Sequence, residues 1–245
     1  MKIKFFEATY QGARSSNQDY FMHIVTDDWA CFVVADGLGG HYRGDIASSV
    51  YTQAFIKSAS NNAPEILSDP INGLGHAMLQ AWEAMREQVK DEYGAIDSQT
   101  TFVAVWLDER HFLTAHVGDS RIYLLNHDEI VWRTPDHTPV QALFEQGEIS
   151  EEEFYYHPQQ NRLLRTINLF EPPEAEIYLR PPLQKSDTVL LCSDGFWNPL
   201  SRNDILLLGK TDDLQETTTK LVDAILADHP TDADNITVQL LRKTS

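Results

Sequence analysis

The sequence predicts an α+β domain in which helices cover β-sheets, and three observations carry that expectation. About nine short runs are rich in β-branched and aromatic residues. Three longer segments repeat apolar residues at spacings of three and four. Runs of the first kind are interleaved with pairs of the second, which suits helices packed on sheets. No internal repeat, low-complexity tract or Pro/Gly/Ser-rich linker divides the 245 residues, so residues 1–245 are expected to form one domain with one inserted segment.

From the N-terminus, Met1-Lys2-Ile3-Lys4-Phe5-Phe6-Glu7 is too short and too quickly acidic for a secretory leader. Tyr20 to Val25 and Ala30 to Ala35 read as the first strands. The stripes Ile46, Ala47, Val50, Tyr51, Ala54, Phe55 and then Leu74, Ala77, Met78, Ala81, Trp82, Met85, Val89 predict two helices that each bury one face. Strands are expected next at Thr101 to Leu107, His111 to Val117, Arg121 to Leu125 and Glu129 to Trp132, with hairpin-length turns at Asp108-Glu109-Arg110 and Asn126-His127-Asp128. From about Asp136 to Pro173 the chain becomes polar and holds Pro139, Pro158, Pro172 and Pro173, so it reads as an excursion of functional or mobile character. Inside it, Ser150-Glu151-Glu152-Glu153 matches a capping box opening a short helix. Ala175 to Leu179, Thr188 to Cys192 and Ile236 to Leu241 complete the strands, and Leu214, Thr218, Leu221, Val222, Ile225, Leu226 form a late helical stripe.

Composition narrows the function. A 42% apolar share is ordinary for a packed core, and no run reaches the roughly 18 to 20 apolar residues of a bilayer span. A cytoplasmic protein is expected. The net charge of −18 would repel nucleic acid and anionic lipid surfaces, so neither is an expected partner. Cys31 and Cys192 sit in apolar runs and read as core thiols rather than a disulfide.

The positions of the aspartates carry the chemistry. Phe32-Val33-Val34-Ala35 ends in Asp36-Gly37, Ala115-His116-Val117 in Gly118-Asp119, and Val189-Leu190-Leu191-Cys192-Ser193 in Asp194-Gly195, while Asp234-Asn235 opens Ile236-Thr237-Val238. One such aspartate is a turn former. Four delivered to one sheet rim would repel one another unless cations or protons lay between them, and bound divalent metal is the economical reading. Oxygen-only donors favour Mg²⁺ or Mn²⁺, because His-Glu-x-x-His, Cys-x-x-Cys and a Ca²⁺-binding loop of the EF-hand kind are all absent. Two such metals can present a hydroxide to phosphorus, with a protein cation on the phosphate oxygens. Arg14, just upstream of Asn17-Gln18-Asp19, is the best-placed arginine, although by spacing alone it reads as a surface residue.

Other motifs are set aside. Gly37-Leu38-Gly39-Gly40 lacks the Lys-Ser/Thr of a nucleotide loop. Arg43-Gly44-Asp45 precedes a helix whose N-terminus Asp45 favours, and the five tryptophans are scattered. No Gly-x-Ser-x-Gly elbow exists, and acids alone leave a glycosidase-like pair open.

Six motifs in order resemble the type 2C protein phosphatases, the metal-dependent PPM family, in its bacterial Ser/Thr form: Arg14-x-x-Asn17-Gln18-Asp19, Val34 to His41, Thr100-Thr101, His116 to Arg121, Ser193-Asp194-Gly195 and Asp234-Asn235-Ile236-Thr237. The resemblance implies a four-layer α-β-β-α sandwich of two antiparallel sheets, with two Mn²⁺ or Mg²⁺ ions at one end and a weaker third. By matching motif, Asp36 would bridge both metals, the Gly37 carbonyl would bind one, and Asp194 and Asp234 the other. Asp19 would act directly or at one remove, Asp119 would hold the third metal, and Arg14 would grip the substrate phosphate. The excursion at 136–173 would be the family's flap. Leu38 stands where animal members carry a histidine acid, which leaves His41 or metal-bound water as candidates. Asn198 and Gln18 stand where some relatives have acids, which lowers the expected third-metal affinity, and Gln99 replaces the usual glycine before the threonine pair.

The expected activity is hydrolysis of phosphoserine and phosphothreonine in proteins by a metal-bridging hydroxide. Those proteins would be substrates of a eukaryotic-like Ser/Thr kinase, and the chain would act as a monomer. The competing class is a regulatory module that binds phosphoproteins without turnover. Small phosphate esters remain open as substrates of the same site.

Overall fold

In a computed structural model that describes residues 2–38, 43–93 (91–93 as backbone) and 97–244, these patterns become strands and helices. In chain order they are β1 (Ile3–Tyr10), β2 (Asp19–Val25), β3 (Trp29–Asp36), α1 (Gly44–Asn61), α2 (Ala63–Ser68), α3 (Pro70–Tyr93), β4 (Phe102–Asp108), β5 (Phe112–Val117), β6 (Arg121–Leu125) and β7 (Ile130–Arg133). There follow α4 (Pro139–Glu145), α5 (Glu151–Tyr156), β8 (Glu176–Arg180), β9 (Thr188–Cys192), α6 (Asp194–Trp197), α7 (Arg202–Lys210), α8 (Leu214–Asp228) and β10 (Ile236–Lys243).

The strands form two five-stranded antiparallel sheets, ordered β1-β10-β9-β6-β7 and β2-β3-β4-β5-β8. Alternation along each strand sorts its side chains between layers. On β3, Cys31 and Val33 join a core with α1 and α3, while Ala30, Phe32 and Val34 face the other way. On β9, Leu190 and Cys192 join a core with α6, α7 and α8, while Val189 and Leu191 meet Phe32 and its neighbours between the sheets. Three apolar layers between four structural ones make the α-β-β-α sandwich that the resemblance implies. The two cysteines lie in opposite outer cores as buried free thiols.

The helical stripes fall on α1, α3 and α8, and the capping box forms as read: Ser150 Oγ accepts from Glu153 N at 3.2 Å, and Glu153 Oε2 accepts from Ser150 N at 2.8 Å. Asp108 Oδ1 caps its hairpin turn by accepting from Arg110 N and His111 N, and Asn126 Oδ1 does the same for Asp128 N and Glu129 N. One strand departs from expectation. Ile3–Tyr10 is a tenth strand that pairs with β10 along all eight residues. It is an edge strand in which Lys4 and Glu7 interrupt the apolar alternation, so its pattern is weak. The unexpected helices α2, α4, α6 and α7 have at most nine residues, too few for a clear 3.6-residue period.

The chain between β7 and β8 carries α4 and α5 outside both sheets. Among the described residues no helix is long and apolar enough to cross a membrane.

Candidate active site

At one end of the inter-sheet layer the inward positions turn polar. Phe21 on β2 faces that layer, and two residues earlier the same face carries Asp19. On β3 the inward series Ala30, Phe32, Val34 continues to Asp36, which is the register partner of Asp19. Inward-facing Val103 on β4 is preceded by Thr101, and Leu191 on β9 is followed by Ser193. Asp194 then opens α6, Asp119 lies in the turn between β5 and β6, and Asp234 precedes β10. Six expected residues, Arg14, Asp36, Gly37, Asp119, Asp194 and Asp234, line one cleft of about 570 Å³. Asp19, 8% exposed, is tied to the segment before α6 by the Ser193 hydroxyl, which donates to its Oδ2 at 2.8 Å.

The backbone under the acids is clamped. Thr101 N and Thr100 Oγ1 both donate to the Asp36 carbonyl at 2.8 Å, Asp36 N donates to Thr101 Oγ1, and that hydroxyl meets Ser120 Oγ at 2.7 Å. This is the work of the Thr100-Thr101 pair. Gly37 must be glycine for lack of room, since a Cβ would sit 2.6 Å from the Gln18 carbonyl oxygen and closer still to that of Gly44. Gly118 adopts φ +98° where the chain turns into Asp119.

Electrostatic strain follows from this crowding. Burial first, then the charges of Asp19, Asp194 and Asp119, push the Asp36 carboxyl well above the usual carboxylate range. Burial followed by Asp194 and Asp136 does the same to Asp119, and burial followed by Asp234 raises Asp194. Asp19 is pushed up to about 7, chiefly by burial. Its Oδ1 is buried with no hydrogen-bond partner. A cluster of buried acids with an orphaned oxygen fits hard dications, which would take the lone pairs and neutralise the charge.

Arg14 Nη2 donates to Asp234 Oδ2 at 2.6 Å, with both side chains partly exposed at the cleft rim. Its loop is pinned by Asn235, which accepts from Gln18 N and donates to the Gln11 and Ser16 carbonyls, and by Ala13 N on the Ala233 carbonyl. Asn235, Ser193 and Ser120 lie in the motifs read from the sequence, but their pairings do not show there: Asn235 holds Gln18 from 217 residues away and Ser193 holds Asp19 from 174, and such pairings leave no local signal. Arg121 and Asp136, only 15 residues apart, were missed as a pair because the β6–β7 hairpin brings them together and their spacing carries no signal of its own. They form a fully buried bidentate contact at 2.8 and 2.7 Å, and the guanidinium stacks 3.2 Å over Trp197, whose indole donates to the Asp119 carbonyl.

The departures now have places. Leu38 lines the cleft, His41 lies outside the described residues, and Asn198 lines a second, adjoining cleft. Gln99 has a physical account: its Oε1 accepts from Thr166 Oγ1 at 2.8 Å, which ties the segment between β7 and β8 to the cleft rim.

Sandwich and acid-lined cleft together define a metal-dependent phosphatase scaffold, and comparison with known proteins gives the family. A sequence model of the family described as "Protein phosphatase 2C" matches residues 10–232. The serine/threonine phosphatase stp of Listeria innocua is 32% identical over 86% of this chain and 83% of its own. A putative protein phosphatase 2C-type of Streptococcus pyogenes is 31% identical over 95% and 94%. The crystal structure of the serine/threonine phosphatase PstP/Ppp of Mycobacterium tuberculosis superposes with a TM-score of 0.83 at 28% identity, covering 99% of each chain. The catalytic domain of PstP, solved with two manganese ions, covers 99% of each chain with a TM-score of 0.77 at 26% identity. The chain belongs to the protein phosphatase 2C family and is a serine/threonine phosphatase.

Proposed function

We propose that this phosphatase removes phosphate from serine and threonine side chains of proteins at the inter-sheet cleft, with Asp19, Asp36, Gly37, Asp119, Asp194 and Asp234 as the set that holds Mn²⁺ or Mg²⁺. The carrying observation is the gathering of acids from distant parts of the chain around one cleft, with a buried carboxylate oxygen of Asp19 left without a partner. In this reading Asp36 is the bridging ligand, Asp194 and Asp234 serve one ion, the Gly37 carbonyl serves the other, and Asp119 holds a weaker third. Bound dications supply the charge that makes a water nucleophilic towards phosphorus.

The chain's own residues do the rest. Arg14 offers five N–H donors, and its one contact with Asp234 leaves others for phosphate oxygens. Thr100 and Thr101 hold the Asp36 backbone still while charge moves in the cleft. The segment between β7 and β8 acts as the flap, fastened to the rim through Thr166 and Gln99. The substrates are proposed to be those of a eukaryotic-like Ser/Thr kinase, met by a monomer in the cytoplasm.

Turnover of an aryl phosphate and of phosphothreonine peptides in Mn²⁺ tests the reading. EDTA abolishes both activities and added Mn²⁺ restores them. Calorimetric binding of the phosphopeptide with no phosphate release at saturating Mn²⁺ would instead establish the regulatory binding module.

A further inference from the structure

A second cleft, about 920 Å³, opens beside the first and shares with it Arg14, Asn161, Asp194 and Asp234. Its volume lies at the upper end of the roughly 300–1,000 Å³ usual for ligand clefts. One wall is α5, presenting Glu151, Glu152 and Tyr156. Another is the turn from α6 to α7, and the loop before β10 adds His229 and Asp232. The position of this space matters: a phosphorylated side chain reaching Arg14 and Asp194 leaves its neighbours in the peptide beside the shared rim.

The charges in it are uneven. Besides the acids already given to the metal set, Glu151, Glu152 and Asp232 line the cleft from two separate elements. Glu151 and Glu152 take part in no ion pair among the described residues, since the capping contact of α5 is made by Glu153. Among the described residues Asp232 pairs only with the partly exposed His229, at 3.5 Å. Arg202 and, at the shared rim, Arg14 are the cations of the lining. Tyr156, 83% exposed, offers an aromatic face beside the acids, a surface suited to an arginine or lysine. The whole chain carries −18, so a phosphorylated substrate approaches against a repulsive field unless it brings positive charge of its own.

We infer that this adjoining cleft selects phosphorylation sites flanked on one side by basic residues, with Glu151, Glu152 and Asp232 as the specificity-determining acids. The inference rests on the phosphatase reading above and adds to it the class of peptide that the site accepts. The contacts are exposed ion pairs on a cleft wall, so the selection is moderate and sensitive to salt.

The test uses the full chain with Mn²⁺ and a phosphothreonine peptide flanked by alanines, each alanine replaced in turn by Arg or by Glu. Arg on one side of the phosphothreonine is expected to raise kcat/KM roughly three- to tenfold and Glu to lower it, with both effects shrinking as salt is added. The double variant Glu151→Gln, Glu152→Gln, which keeps the Ser150–Glu153 cap, loses the gain from Arg while aryl phosphate turnover stays unchanged. Should that protein fold poorly, Asp232→Asn reads the same loss from another element. No gain from Arg, an equal gain on both sides, or a gain that persists in these variants overturns the inference. If the aryl phosphate is not hydrolysed, the phosphatase reading fails instead, and calorimetric affinities for the same peptide series then judge the cleft by the same criteria.

Discussion

The space between the two sheets is apolar along most of its length and acidic at one end, although the same strands line both regions. On β3, Phe32 and Val34 close the middle and Asp36 opens the end, on one face and two residues apart each time. In the middle, burial releases water from apolar surface and stabilises the fold. At the end, burial raises the carboxyls of Asp36, Asp119 and Asp194, so the metal-free fold holds them at a cost. The contrast teaches that stability and chemistry are assigned to successive inward positions of the same strands.

The largest effect should come from the acidic end. Asp36→Asn is expected to lower kcat/KM by at least about a thousandfold, near 4 kcal/mol, while the metal-free protein keeps or gains thermal stability because one repelling carboxylate is gone. A cleaner separation comes from the middle. Phe32→Ala should cost about 3–5 kcal/mol in urea unfolding yet leave turnover per folded molecule near normal. Loss of turnover without loss of stability would show that the two regions are not separable.

A third probe lies between them. His116 occupies the same face of β5 as Phe112, is fully buried, and stacks on His137. Burial, aided by the neighbouring His137, pushes its imidazole down to about 4. The folded pKa lies below the usual value of about 6.5, so the unfolded chain binds more protons in that window, and stability falls as pH drops from about 6.5 to 4. Up to roughly 3 kcal/mol should be lost there. The slope of unfolding free energy against pH should flatten in His116→Gln, and an unchanged slope would remove His116 as its source. The smallest effect belongs to an outer layer: Asp213→Ala, which removes the side-chain cap of α8 on Glu216 N, should cost about 1 kcal/mol and leave turnover untouched.

How much of this was legible in the sequence follows from the range of each interaction. The stripes of α1, α3 and α8 and the alternation of the central strands are local patterns, and they identified most elements. Edge strand β1 and the short helices are held by tertiary contacts and leave weak local marks. At the site, strand-end position exposed Asp36, Asp119, Asp194 and Asp234. Asp19, at the head of β2, and the role of Arg14 came from family resemblance, since neither has a distinctive spacing. The supports beneath them, such as Ser193 on Asp19 and Asn235 on the Arg14 loop, are contacts across 174 and 219 residues that no local window contains.

Strand β10 lies between β1 and β9, and it is the last of the ten to be synthesised. Until it is inserted, β1 has no partner in its sheet, Asn235 cannot pin the loop of Arg14, and Asp234 is missing from the cleft. A nascent chain still lacking this segment therefore lacks one acid of the proposed metal set and the pinned loop of Arg14. If the proposed roles of Asp234 and Arg14 hold, catalytic competence arrives only once the fold has closed, and the order of translation itself keeps the unfinished enzyme silent.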